Sequence, residues 1–210
     1  KWVALTPDGQ LDMDALEAAL SPRTKIVAVV HMSNVLGTVT PIADIARLAH
    51  ERGAVVMVDG SQFAAHGPVD VQALGADFYA CTGHKIYGPS GIGALYGKRE
   101  LLEAMPPFMG GGEMIASVGR DEITYAGLPN RFEPGPPHIA QAIGIGAAIE
   151  YVTGLGWDNV TIRAGAHCAE PLMDFFGVTA TCRASFAMYN TTEDVDRLAA
   201  AIEKAHSFFV

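Results

Sequence analysis

Apolar positions along the first hundred residues come in two spacings, and the two alternate. Lys25-Ile-Val-Ala-Val-Val30 and Ala54-Val-Val-Met-Val58 are apolar runs, the pattern of strands covered on both faces. Asp77-Phe-Tyr-Ala-Cys-Thr82 predicts a third strand, and Gly93 to Tyr96 a fourth. Between them the spacing is helical. Leu11, Leu16, Ala19 and Leu20 predict a helix ended by Ser21-Pro22, and Ile42, Ile45, Ala46, Leu48 and Ala49 stripe a second, opened by Pro41 and stopped by Gly53. Strands and helices in alternation predict an α/β domain with a mostly parallel sheet. Ligands of such sheets bind beyond the carboxyl ends of the strands. That rule singles out Asn34, Asp59 and the segment after Thr82.

The texture changes from Pro106 to Pro137. Gly110-Gly-Gly112, several prolines and scattered polar residues predict a long loop with little regular structure. A helix is predicted from His138 to Val152, striped by Ile139, Ile143, Ala147 and Tyr151. A short strand near Val160 and a glycine-containing turn lead to a last helix, Glu193 to His206, with Val195, Leu198, Ile202 and Phe208 to bury.

Composition narrows the classes of function. The chain has 210 residues, 50% apolar and 18% charged, which predicts a packed core rather than disorder. Fourteen Lys and Arg against 23 Asp and Glu give a net charge of −9, so there is no basic excess to displace phosphate counterions and nucleic acid is not the expected partner. No apolar run approaches the roughly 20 residues of a bilayer span, so no membrane partner is expected. Three cysteines without regular spacing do not make a secreted disulfide framework, and a cytoplasmic setting is expected. The chain opens on Lys1 rather than Met and reads as a piece of a longer protein.

Chemistry gathers at two strand ends. Lys85 lies just past a predicted strand, among small residues, where an amine can approach a ligand and condense with a carbonyl if its neutral form is favoured; a solvated loop lysine is the plain alternative. Asp59 follows four apolar strand residues. It reads either as a turn residue before Gly60 or as the acid that keeps a pyridine nitrogen protonated opposite such a lysine, the pairing that pyridoxal phosphate requires. Asn34 and Gln62 are candidate donors to the ring oxygen, and Thr82 and His84 to the cofactor phosphate; each also reads as an ordinary loop residue. Cys168, beside His167 and near Arg163, reads either as a buried or idle cysteine or as one whose setting favours the thiolate. Cys81 and Cys182 read as structural. His167, Cys168 and Cys182 fit no zinc-ligand spacing, so no metal is expected. Gly144-Ile-Gly146 lies inside a helix pattern and lacks the third glycine of a dinucleotide fingerprint.

His31-Met-Ser-Asn34-Val-Leu-Gly-Thr38, Val58-Asp59-Gly60-Ser-Gln62-Phe-Ala-Ala-His66 and Thr82-Gly-His-Lys85-Ile-Tyr-Gly-Pro-Ser-Gly-Ile-Gly93 resemble the class V aminotransferase-type pyridoxal enzymes. Gly110-Gly-Gly-Glu-Met-Ile115, Arg163-Ala-Gly-Ala-His-Cys168-Ala-Glu-Pro-Leu-Met173 and Cys182-Arg183-Ala-Ser-Phe-Ala-Met-Tyr-Asn190 resemble more closely the SUF-type cysteine desulfurases, with their selenocysteine lyase activity. The resemblance runs along nearly the whole chain. It implies the fold type I large domain over residues 1–152, short of its N-terminal portion, and a remnant of the small C-terminal α+β domain over 153–210 carrying the cysteine loop. It implies pyridoxal 5'-phosphate bound at Lys85, with Asp59 on the ring nitrogen, Asn34 and Gln62 near the ring oxygen and substrate, and Thr82 and His84 toward the phosphate. Cys168 matches the sulfur-accepting nucleophile, Arg183 the arginine that grips the substrate carboxylate, and Arg163 a further arginine near the site. The implied activity converts L-cysteine to L-alanine, leaving a persulfide on the enzyme for a SUF-type acceptor in iron–sulfur cluster assembly, with L-selenocysteine as a second substrate and a homodimer as the working form. Another class V lyase, aminotransferase or epimerase would share Lys85 and Asp59 but have no use for Cys168. A non-catalytic fragment would keep the motifs alone.

The chain departs from that pattern in four places. The family's segment with a ring-stacking histidine and a phosphate loop is expected ahead of Lys1, in the longer parent protein. Only Val152 to Ile162 joins the predicted helix to the Arg163 turn, so Gly156-Trp-Asp-Asn159 against Val160-Thr-Ile-Arg163 reads as a junction between distant parts of a parent chain. Ala166 stands where a histidine is common. Pro136 stands where a threonine usually reaches a partner subunit's cofactor phosphate, and it has neither hydroxyl nor backbone donor.

Overall fold

A computed structural model describes residues 1–156, 172, 175–177 and 190–209. Helix α1 (Met13–Ala19) starts where Asp12 accepts the Ala15 amide at 2.9 Å, an N-cap that satisfies one of the first turn's free donors. Strand β1 (Ile26–Val30), helix α2 (Ile42–His50) and strand β2 (Val55–Asp59) follow, then β3 (Phe78–Thr82) and β4 (Gly93–Gly97). The sheet order is β1-β2-β3-β4, parallel except for β4, which runs antiparallel to β3. The mostly parallel sheet expected from the alternating pattern is therefore present.

The core lies on one face of this sheet. Val56 and Val58 pack with Ile42, Ala46, Ala49, Ala54, Ala76 and Tyr79, and Val27 and Val29 lean against them. The other face differs from expectation. The β1 run was expected to be covered on both sides, but β1 is an edge strand with Ile26 55% and Val30 46% exposed, and Leu95 of β4 is 60% exposed. Among the described residues nothing covers these side chains.

One carboxylate clamps the amino end of β2 and β3. Asp77 is 3% exposed. Its Oδ1 accepts from Lys98 Nζ at 2.6 Å, and its Oδ2 accepts from His50 Nε2 and from the Val56 amide, each at 2.7 Å. Burial pushes this carboxyl up, yet the hydrogen bonds from Lys98, His50 and Val56 outweigh it and hold it below the usual range. The clamp joins the end of α2, the start of β2, the start of β3 and the residue after β4.

Beyond β4 the chain forms α3 (Arg99–Ala104), which the spacing did not indicate, and an antiparallel hairpin, β5 (Ile115–Val118) with β6 (Ile123–Tyr125). The stretch expected to be loop thus contains a hairpin. Ser117 and Thr124 share a 2.6 Å hydrogen bond across it, and the Met114 side chain is buried at its start. Helix α4 (Ile139–Leu155) outlasts its predicted end. Its predicted stripe faces outward: Ile139 is 65%, Ile143 70% and Tyr151 58% exposed, whereas Val152 is buried. An apolar helix of this kind is normally buried all round. Helix α5 (Thr192–Phe209) forms where expected, but Val195 and Ile202 are exposed rather than buried. The predicted strand near Val160 lies outside the described residues.

Candidate functional site

The parallel register sets the ends of three strands side by side. Val30 lies beside Asp59, and Asp59 beside Ala80. Three residues past Val58, the chain enters a tight turn leading into a 3-10 segment at Phe63–Ala65; three past Ala80, it enters another at Gly83–Ile86, and the two segments pack against each other. Asn34, Asp59, Gln62, Thr82, His84 and Lys85 therefore all leave from the carboxyl end of one sheet, as the strand-end rule predicts.

Their surroundings differ. Asp59 is exposed, and its Oδ1 accepts the Ser61 amide at 2.9 Å; among the described residues Oδ2 accepts no hydrogen bond. Gln62 is 7% exposed, and Asn34 is exposed. Thr82 Oγ1 and His84 Nδ1 are 2.8 Å apart, so hydroxyl and imidazole form one polar pair. Lys85 is half-buried between His84 and the buried Ile86. Its turn ends on Tyr87, at φ 60° and ψ 10°, a left-handed conformation that a bulky aromatic seldom adopts and that marks functional turns. Gly83 carries no side chain because a Cβ would stand 3.1 Å from the Ile92 carbonyl oxygen, to which the Gly83 amide donates at 2.8 Å. A shallow cleft of about 220 Å³, lined by Ala28, Val29, Val30, Met57 and Asp59, opens beside the carboxylate.

Beneath Asp59 lies a polar group that the motif reading did not single out. His31 is 4% exposed. Its Nδ1 is 2.9 Å from Tyr79 Oη, and its ring stacks on Phe63 with centroids 3.7 Å apart. The sign available in the sequence was a histidine set directly after an apolar run. Cys81 lies half-buried in β3 and packs against the core, as its sequence setting suggested. Arg163, Ala166, His167, Cys168, Cys182 and Arg183 lie outside the described residues. Among the described residues no cluster suited to a metal ion occurs, and no helix is long and apolar enough to cross a membrane.

Comparison with known proteins follows the same outline. A cysteine desulfurase of Dickeya dadantii is 45% identical over 257 aligned residues, covering 96% of this chain and 62% of the relative. The crystal structure of the cysteine desulfurase CsdA from Escherichia coli, in an S-sulfonic acid form, superposes with a TM-score of 0.84 at 38% identity, over 97% of this chain and 64% of that one. The K223A mutant of C-DES, with glycine covalently linked to its PLP cofactor, gives a TM-score of 0.62 at 32% identity, over 68% of this chain and 39% of that one. The chain thus spans about three-fifths of the length of the curated relatives. The first alignment runs over 257 positions although the chain has 210 residues, so at least 47 of them have no counterpart here. The aminotransferase class-V model matches in two stretches, residues 1–161 and 153–198, which overlap at 153–161. With the fold, the strand-end residues and the family match in agreement, this chain belongs to the class-V aminotransferase family.

Proposed function

We propose that this chain is the cofactor-holding portion of a SUF-type cysteine desulfurase, with pyridoxal 5'-phosphate between Lys85 and Asp59. The observation that carries the reading is the register of β2 on β3, which sets an exposed carboxylate beside the strand leading to Lys85. The donor set fits the group. Asp59 has an oxygen without a hydrogen-bond partner among the described residues, the Thr82–His84 pair offers donors to a phosphate, and Gln62 and Asn34 offer amides to a ring oxygen.

When bound, pyridoxal phosphate supplies an electron-accepting ring that stabilises the charge left when an α-proton departs. The residues supply the rest. Lys85 Nζ would hold the aldehyde carbon and, as a free amine, would take the α-proton. The Asp59 carboxylate keeps a proton on the ring nitrogen, which preorganises the site for developing negative charge. Arg183, with Arg163 nearby, orients the substrate carboxylate, and Cys168 Sγ takes the substrate sulfur as a persulfide destined for a SUF-type acceptor in iron–sulfur cluster assembly. These three roles rest on the family resemblance. Selenocysteine lyase activity, a homodimer and a cytoplasmic setting belong to the same reading, as does the division of the chain into large-domain residues 1–152 and small-domain residues 153–210.

Alanine release from L-cysteine tests it. The cofactor-loaded chain is expected to form alanine and protein-bound persulfide, and Cys168→Ala to abolish both while retaining cofactor absorbance. Alanine formation untouched by Cys168→Ala would overturn the role of Cys168, and a product other than alanine would point to another class-V reaction. A second reading, a chain that keeps the motifs without turnover, is favoured by the uncovered face of the sheet and by the positions of its relatives that it lacks. Failure to take up pyridoxal phosphate would select that reading.

A further inference from the structure

We infer that His31 and Tyr79 are positioning residues that hold the Asp59 turn from below, through a buried hydrogen bond and a ring seat against the Gly60 backbone. The inference rests on the cofactor reading only for what Asp59 would face.

Four strand-end elements meet at this point. The His31 amide donates to the Asp59 carbonyl at 2.9 Å, and the Gly60 amide donates to the Ala80 carbonyl at 2.8 Å. The Tyr79 ring fills the space beside Gly60 so completely that a Cβ there would stand 1.9 Å from its Cζ. No side chain can occupy position 60 unless that ring moves. The Tyr79 hydroxyl meets His31 Nδ1 at 2.9 Å, and the other side of the imidazole is taken by Phe63 in the turn after Gln62. The two aromatic residues are therefore fixed by each other, and between them they fix both ends of the segment that carries Asp59 and Gln62.

Both rings are also chemically quiet. Burial holds the His31 imidazole below its ordinary value, and burial with the nearby Asp59 charge pushes the Tyr79 hydroxyl up. Both side chains are buried and hydrogen-bonded to each other, so their effect on a ligand passes through Asp59. A positioning residue of this kind sets where a carboxylate stands, to a tolerance that catalytic geometry demands.

The test uses Tyr79→Phe, which removes one oxygen, in the 210-residue chain. Amide hydrogen exchange followed by NMR is expected to show the His31 and Gly60 amides exchanging about tenfold faster, the factor that a lost hydrogen bond of ordinary net strength produces. The Val56 amide, bound to Asp77 at the far end of β2, is expected to stay unchanged. His31→Asn, which keeps a polar atom near the Nδ1 position, is expected to give the same pattern at smaller size and serves if Tyr79→Phe does not fold. The second readout is the ratio of affinities for pyridoxal phosphate and for its analogue with carbon in place of the ring nitrogen. Misplacing Asp59 is expected to narrow that ratio several-fold, whereas general loosening weakens both compounds alike. Unchanged His31 and Gly60 exchange, equal acceleration at Val56, or an unchanged ratio would overturn the inference. If the unaltered chain binds neither compound, the cofactor reading fails, and the exchange pattern alone upholds or overturns the positioning role.

Discussion

Asp77 and Asp59 stand at opposite ends of the same strand pair, and they are used in opposite ways. Asp77 is buried and accepts from an ammonium, an imidazole and a backbone amide. Every direction from its carboxylate is occupied by the protein. Asp59 is exposed, accepts one amide from its own turn, and among the described residues keeps the other oxygen free of hydrogen bonds. The lysines differ in the same way: Lys98 is tied to Asp77, whereas Lys85 makes no ion pair among the described residues. One end of the sheet is a closed clamp, and the other is an open set of donors on a firm base. A carboxylate that the fold does not use for itself is what a ligand site needs.

The largest effect should come from breaking the clamp. Asp77→Ala leaves Lys98, His50 and the Val56 amide without their acceptor and is expected to cost about 2–4 kcal/mol by denaturant unfolding, toward the lower side of losses at buried pairs because the Lys98 and His50 side chains both reach water. Asp59→Ala is expected to change stability by less than about 0.5 kcal/mol, as for an exposed residue whose side chain accepts only one amide of its own turn. Equal costs at the two positions would end the comparison. Next in size is Gly60→Ala, whose Cβ overlaps the Tyr79 ring and is expected to cost about 1–3 kcal/mol, the range for overpacking. That loss shows that the open end has a rigid floor.

Acid sharpens the contrast. The Asp77 carboxyl is held low in the folded chain, so its contribution is complete above the unfolded value of about 4 and disappears as pH falls through the lower folded value. Stability of the unaltered chain is expected to decline in that window, and Asp77→Asn to flatten the decline. His31, kept neutral by burial, adds an earlier decline that begins near pH 6.5, because the unfolded chain gains its proton first. Melting temperatures measured across the range check both. The smallest effect belongs to the surface. The Arg47–Glu51 pair is more than half exposed on both sides, and Arg47→Ala is expected to shift stability by no more than about 0.5 kcal/mol.

The strand-end chemistry was legible because it follows from chain pattern alone. An apolar run ending in Asp59 and another ending before Lys85 fix which end of the sheet each residue leaves from. The hairpin at 115–125 was not legible, since its short strands are set among glycines and prolines that read as loop. The outward stripe of α4 and the open edge of β1 escaped for a different reason: period reveals which residues share a face, but not whether anything covers it. His31 and Tyr79 could be placed on a strand and at its end, but their meeting across 48 residues is a product of register.

Lys85, with Asp59 at the end of the neighbouring strand, is the proposed seat of pyridoxal phosphate. Loading the chain, reducing with borohydride and mapping the attached pyridoxyl group by peptide mass spectrometry tests it directly. The label is expected on Lys85, with occupancy falling in Asp59→Ala. A label spread over Lys1, Lys25, Lys98 and Lys204, or none at all, would contradict it.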